Sequence, residues 1–194
     1  MKYTGLKIGW GITGSYCSIA PFLEVAWQIK NEGAKIYTFA SPTLFQTDTR
    51  FGLGAMWRER LLEICAGNLS TSIVEAENFG PKEPLDIMVI APLTGTSMAK
   101  IALGISDTPV IMAAKATLRN GKPLLLAVSS NDILGVNADN LGKLLSLKGI
   151  YFVPFRQDDP YKKPRSLIAL AERLPQALDA AIKGQQVQPI FVVN

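Results

Sequence analysis

Gly9-Trp10-Gly11-Ile12-Thr13-Gly14 sets three glycines at G-x-G-x-x-G spacing, after an apolar run and before a helical pattern. A phosphate-binding turn needs that context. Glycine lets the backbone approach an oxyanion, and the N–H groups of the following helix point at it. Thr13 and Ser15 add hydroxyls. A tight strand-to-helix turn with no ligand would use the same glycines. The next loop separates two kinds of phosphate ligand. A dinucleotide fold places Asp or Glu after the second strand for the ribose, or an Arg for a 2′-phosphate. Here the stretch is Phe39-Ala40-Ser41-Pro42-Thr43, which has neither. Hydroxyls at Thr13, Ser15 and Ser41 suit the terminal phosphate of a mononucleotide such as FMN, and they also suit ordinary helix caps. Ser41 at the ribose position weakens the case for a stand-alone NAD(P)-dependent dehydrogenase.

Two more loops have the same character. Pro92, Thr94, Thr96, Ser97 and Met98 follow the most apolar strand candidate, and Ser129-Ser130-Asn131-Asp132 follows another. In an open α/β sheet the carboxyl ends of the strands face the ligand. Four such loops on one edge define a candidate ligand site, although Thr96 or Ser97 also reads as a cap. Asp132 is the one acid in these loops and the candidate base; it also suits a turn cap. Arg50, Lys100, Lys115 and Arg119 are the cations near the same edge, with Arg50 first among them for a substrate carboxylate.

The chain has no His, which excludes Ser-His and Cys-His nucleophile pairs and His-ligated metal. A bound cofactor is then an economical source of chemistry. Cys17 and Cys65 have no metal-ligand spacing and are expected to be reduced thiols, so no metal site is expected. A net charge of +4 over 194 residues suits small acidic ligands or an acidic partner and does not argue for nucleic acid. No targeting segment and no membrane-spanning run is visible, so the expected location is the cytoplasm.

Strands and helices must alternate to position these loops. Strands are expected at Leu6–Ile12, Lys35–Ala40, Leu85–Ala91, Pro123–Val128 and Ile150–Pro154, with a weak one at Ile73–Glu77. Helices are expected through Ile19–Lys30, Met56–Ala66, Ser97–Ile105, Val110–Leu118 and, after an Asn137 cap, as far as Leu147. Ser166–Ile182 reads as a terminal helix that Pro175 kinks or divides, and Gln157–Arg165 as a solvated polar loop. The pattern calls for a single α/β domain, 1–194, with a parallel sheet covered by helices on both faces.

The loops together resemble the homo-oligomeric flavin-containing Cys decarboxylase superfamily, which includes the flavin prenyltransferases. The matching pieces are Thr13-Gly14-Ser15, Ser41, and Ile90-Ala91-Pro92 leading to Ser97-Met98-Ala99-Lys100. A narrower resemblance, to the B subunits of dipicolinate synthases, rests on five segments: Thr47–Gly52, Met88–Gly95, Met112–Leu118, Ser130–Leu134 and Pro154–Pro164. It implies a Rossmann-like flavoprotein fold. Gly11, Thr13, Gly14, Ser15, Ser41, Pro92, Thr94, Thr96, Ser97, Met98, Ser129, Ser130 and Asn131 would then surround FMN. The superfamily resemblance implies a homo-oligomer, trimeric or a multiple of three, and the narrower one an A subunit that binds NAD(P). The implied reaction oxidises a dihydrodipicolinate-type dicarboxylate to dipicolinate during sporulation, in the mother-cell cytoplasm.

Departures from the superfamily are specific. Its Cys decarboxylases use a His after the third strand, which is absent, and an Asn where Thr96 stands. Its prenyltransferases have an Arg-Glu pair where this chain has Ser129-Ser130-Asn131. Neither decarboxylation nor prenyl transfer is therefore expected. A non-catalytic flavin-fold module that stabilises or activates the A subunit is the alternative.

Overall fold

The computed structural model describes residues 1–41 and 43–193; Pro42 and Asn194 lie outside the described residues. Strands β1 (Lys7–Ile12), β2 (Lys35–Ala40), β3 (Leu69–Ser70), β4 (Ile87–Leu93), β5 (Leu124–Ser130) and β6 (Ile150–Phe152) pair in parallel. Strands β7 (Phe155–Asp159) and β8 (Lys163–Ala169) form an antiparallel hairpin. The sheet order is β3-β2-β1-β4-β5-β8-β7, with β6 also on β5. Strand β5 thus has two partners along one edge. Leu124–Leu126 pairs with β6, whereas Ser129 and Ser130 pair with Ile168 and Leu167 of β8. The sheet is mostly parallel but mixed.

Helices α1 (Tyr16–Asn31), α2 (Thr43–Gln46), α3 (Gly54–Cys65), α4 (Ile73–Glu77), α5 (Gly95–Leu103), α6 (Pro109–Arg119), α7 (Ala138–Leu145) and α8 (Leu174–Ile182) complete the chain. Helices α1, α3 and α8 pack on one face, and α4, α5, α6 and α7 on the other. Strands β1, β4 and β5 are almost wholly buried, as strands covered on both faces must be.

Three expectations are corrected. Ile73–Glu77 is a helix, not a strand. Its β-branched start argued for a strand, but Ser72 and Glu75 form a capping box that satisfies the orphan N–H groups. Gln157–Arg165 is mainly hairpin. The Asp159 carboxylate accepts from the N–H groups of Tyr161 and Lys162 at 3.1 and 3.0 Å and so closes the turn. The terminal helix begins only at Leu174, with Pro175 in its first turn, because Ser166–Ala169 is claimed by β8.

The glycines after the apolar run serve different ends. A Cβ on Gly11 would lie 2.6 Å from Val110 Cγ1 and 2.8 Å from Met88 Cε, so its missing side chain lets α6 close on the sheet. A Cβ on Gly14 would meet only Tyr16, at 4.0 Å. Gly14 is the exposed one, at the mouth of the turn.

Candidate functional site

The carboxyl ends of β1, β4 and β5 open into a cleft of about 850 Å³. Its floor includes Gly14, Ser15, Thr94, Ser129, Ser130 and Asn131. One wall is the first turn of α1, with Tyr16, Cys17 and Ser18. Another is the turn Thr49-Arg50-Phe51. The β7–β8 hairpin supplies the third, with Asp158, Lys163 and Ser166.

Helix α1 begins at this cleft with no acid in its first turn. Ser15 occupies the cap position, yet its side chain makes no cap bond. The positive end of a long helix and an uncommitted hydroxyl therefore face the same space. The Ser129 hydroxyl is the second telling group. Ser129 is 4% exposed, and its Oγ has no hydrogen-bond partner. An unpaired buried hydroxyl costs free energy, and one at the edge of a cleft is where a ligand would complete the bonding.

The other hydroxyls are committed. Thr13 is buried; its Oγ1 donates to the Pro92 carbonyl at 2.9 Å and accepts from the Thr94 N–H at 2.8 Å. It is not available to a phosphate. Thr94 is the cap of α5, accepting from the Ser97 N–H at 3.3 Å and hydrogen-bonding the Ser97 hydroxyl at 3.0 Å. Thr94 thus takes the capping place expected of Thr96 or Ser97. Thr96 is exposed; Met98 and Pro92 are buried, with Met98 in the core and the Ala91–Pro92 peptide cis. Gly11, Thr13, Ser41, Pro92, Thr96, Ser97 and Met98 are not among the described residues lining the cleft. Ser41 follows β2 and is half-buried, and its carbonyl accepts from the Leu44 N–H at 3.0 Å.

Asp132 is a hub. Its two carboxylate oxygens accept from Ser130 Oγ and Asn137 Nδ2, each at 2.7 Å. A Cβ on Gly95 would lie 2.5 Å from Asp132 Oδ1, so the carboxylate sits against the N-terminus of α5. Asn137 precedes α7 as expected but makes no side-chain cap, because its amide is turned to Asp132 and Asn140.

Of the four cations, only Arg50 lines the cleft. Lys100 pairs with Asp107 at 2.8 Å, and Lys115 and Arg119 lie on α6 beside Glu77. These three are therefore corrected as cleft residues: the helices carry their side chains away from the strand ends. Lys163 is the cation that sequence reasoning missed. Its Nζ lies 2.6 Å from Asp158 Oδ2, and that hydrogen bond raises its pKa. The signal that could have found it is Asp158-Asp159-Pro160-Tyr161, a turn sequence inside a stretch that reads as an open loop.

The residues present fit a phosphate-bearing ligand of cofactor size. A helix N-terminus without acids, a free cap hydroxyl and an orphaned buried hydroxyl share one cleft. Its volume lies within the roughly 300–1,000 Å³ usual for cofactor sites. An open α/β sheet with this site at its strand ends defines a class. The chain belongs to the flavoprotein family, whose model matches residues 1–166.

Within that class its relatives are specific. The chain is 48% identical to the B subunit of dipicolinate synthase from Bacillus subtilis (strain 168), over 98% of its own length and 95% of the relative's. A crystal structure of the dipicolinate synthase B subunit from Bacillus halodurans C superposes with a TM-score of 0.92 at 45% identity, covering 100% of both chains. The FMN-dependent cysteine decarboxylase SpaF shares the fold, with a TM-score of 0.68 at 18% identity over 93% of this chain and 97% of that one. No helix among the described residues is long and apolar enough to cross a membrane.

Proposed function

We propose that this chain is the flavin-binding subunit of a two-subunit enzyme that oxidises a dihydrodipicolinate-type intermediate to dipicolinate, pyridine-2,6-dicarboxylate. Its partner would be a nicotinamide-binding A subunit, and its setting the mother-cell cytoplasm of a sporulating bacterium. The observation that carries this is the cleft at the strand ends, where α1 begins and Ser129 Oγ stays unpaired, in a chain so close to dipicolinate synthase B subunits.

FMN is the proposed cofactor, and when bound it supplies a two-electron hydride acceptor. Ser15 and the N–H groups of the first turn of α1 hold its phosphate. Ser129, Ser130, Asn131 and Thr94 meet the remainder. Asp132 fixes Ser130 and Asn137, and so orients the loop after β5. The hairpin lines the far side with Asp158, Lys163 and Ser166. NAD(P) enters only through the A subunit.

The test is a titration of the purified chain with FMN and, separately, NAD, by calorimetry or fluorescence. FMN is expected to bind and to bleach when substrate and A subunit are added. Tighter binding of NAD than of FMN would sink the reading. We further propose a homo-oligomer, a trimer or a multiple of three, and a stable monomer in sedimentation at micromolar concentration would reject it.

A further inference from the structure

The cleft holds two exposed cations among the described residues, and they are not equivalent. Lys163 is tied to Asp158. Arg50 makes no ion pair among the described residues; its guanidinium lies 4.8 Å from the ring centroid of Phe51. The turn that carries Arg50 and Phe51 is closely built. Thr49 N–H donates to the Gly52 carbonyl at 3.0 Å, and Gly52 N–H donates back to the Thr49 carbonyl at 3.1 Å. Thr49 Oγ1 also accepts from the Phe51 N–H at 3.2 Å. Asp48 on one flank accepts from the Gly54 N–H at 2.9 Å, at the start of α3. Gly52 on the other has φ +152, and a Cβ there would come within 2.9 Å of Trp57 Cζ2. Asp48, Thr49 and Gly52 thus hold the turn. Arg50 and Phe51 are its tip, both exposed and both lining the cleft.

We propose that this tip is a recognition subsite for a planar aromatic carboxylate, resting on the reading that the chain handles a pyridine dicarboxylate. A guanidinium presents a rigid fork that matches a carboxylate with two parallel hydrogen bonds. The ring beside it, 43% exposed, offers apolar area to a flat ligand ring whose carboxylate lies in the same plane. Among the described residues no carboxylate pairs with the guanidinium. The flavin phosphate has its own seat at α1, so the tip is left for the second ligand. Both ligands combine an anion with a planar ring, on the ring itself in dipicolinate and at the end of a flexible chain in FMN, and the experiment separates them.

The full chain is titrated with dipicolinate, with picolinate (one carboxylate), with FMN and with riboflavin. Dipicolinate is expected to bind more tightly than picolinate. Arg50→Gln should weaken dipicolinate roughly 10- to 100-fold, the scale of a lost hydrogen bond to a charged group. Arg50→Lys should recover only part of that affinity, because an ammonium cannot make the paired contact. Phe51→Leu should weaken dipicolinate several-fold, about the worth of an aromatic pair. FMN affinity and the thermal midpoint should stay unchanged in all three variants. Unchanged dipicolinate binding in Arg50→Gln overturns the proposal. So does a loss for FMN, but not riboflavin, as large as that for dipicolinate, which would make Arg50 a phosphate ligand. A chain that binds dipicolinate but no FMN keeps this subsite and removes the flavin reading. A chain that binds FMN but never dipicolinate does the reverse.

Discussion

Thr13 accepts a hydrogen bond from the Thr94 amide at 2.8 Å, and the same hydroxyl donates to the Pro92 carbonyl at 2.9 Å. One side chain thereby joins the turn after β1 to the turn after β4. Gly14 and Ser15 follow on one side of this joint, and the α5 cap on the other.

Thr13→Val keeps the shape and removes both bonds. It leaves the Thr94 N–H unpaired beside the cleft, at a cost of about 1–3 kcal/mol. The expected result is weaker binding of FMN and of riboflavin alike, with Thr13→Ser restoring both. A direct phosphate ligand would lose FMN alone. Parallel calorimetric titrations of the two flavins decide between a joint and a ligand.

Ser15→Ala should behave in the opposite way. Because Ser15 makes no cap bond, folding stability should move by only a few tenths of a kcal/mol, less than the roughly 0.5–2 usual for a lost cap. FMN affinity should fall by about 1–3 kcal/mol, and riboflavin affinity should hold. Ser41→Ala, outside the cleft lining, should leave FMN affinity nearly unchanged. A denaturant curve for Ser15→Ala that shows a full cap loss would assign its hydroxyl to the fold instead.

Much of this was legible in the residues. Lys35–Ala40 has the bounds expected for β2, and the Leu-Asp-Ile-Met-Val-Ile-Ala run marks the central strand, because buried strands need continuous apolar sequence. The strand-end loops follow from that alternation. Which hydroxyls are free does not. Thr13 and Ser15 look alike in sequence, yet only the packing of β1 against the β4 loop commits one of them. The hairpin was illegible for another reason. Its β8 pairs with β5 through just Ser129 and Ser130; the other edge of β8 carries β7, whose Phe155 bridges to Phe191. Little of it is buried on two faces, so no apolar run announces it.

Stability at high pH follows from the N-terminal anchor. Lys2 Nζ lies 2.5 Å from Asp179 Oδ2, and Tyr3 OH donates to Asp179 Oδ1 at 2.9 Å. The hydrogen bond to Asp179 raises the Lys2 pKa above its ordinary 10.5. Burial, first, raises that of Tyr3 above 10.0. A raised lysine contributes stability that is complete below its unfolded value and is lost as pH climbs through the folded one. A raised tyrosine keeps its proton when folded and gives it up when unfolded, so it too lowers stability as pH rises past about 10. Urea midpoints should therefore hold up to about pH 10 and fall as pH rises beyond it, and those of Tyr3→Phe should fall less. Equal pH slopes for the two chains would remove Tyr3 from this account.

The division of labour within the proposed two-subunit enzyme is the last expectation. Aromatising a dihydropyridine breaks two bonds to hydrogen: one hydrogen leaves as hydride, the other as a proton. The chain has no His, and the acids in and beside the cleft are engaged. Asp158 is paired with Lys163, and both oxygens of Asp132 accept hydrogen bonds, from Ser130 and Asn137. Hydroxyls and amides make up much of the remaining polar lining, and these orient groups without readily accepting protons near neutral pH. This chain alone should therefore form dipicolinate at a negligible rate, and adding the A subunit should restore it through a base, a nicotinamide or both. The measurement is the absorbance of the aromatic product with each protein alone and with the two mixed. Asp132→Asn separates the two uses of that carboxylate. If it positions the β5 loop, the variant should lose flavin affinity together with activity in the mixture. If it takes the proton, activity should vanish with flavin affinity intact. Full activity from this chain by itself would refute the shared site.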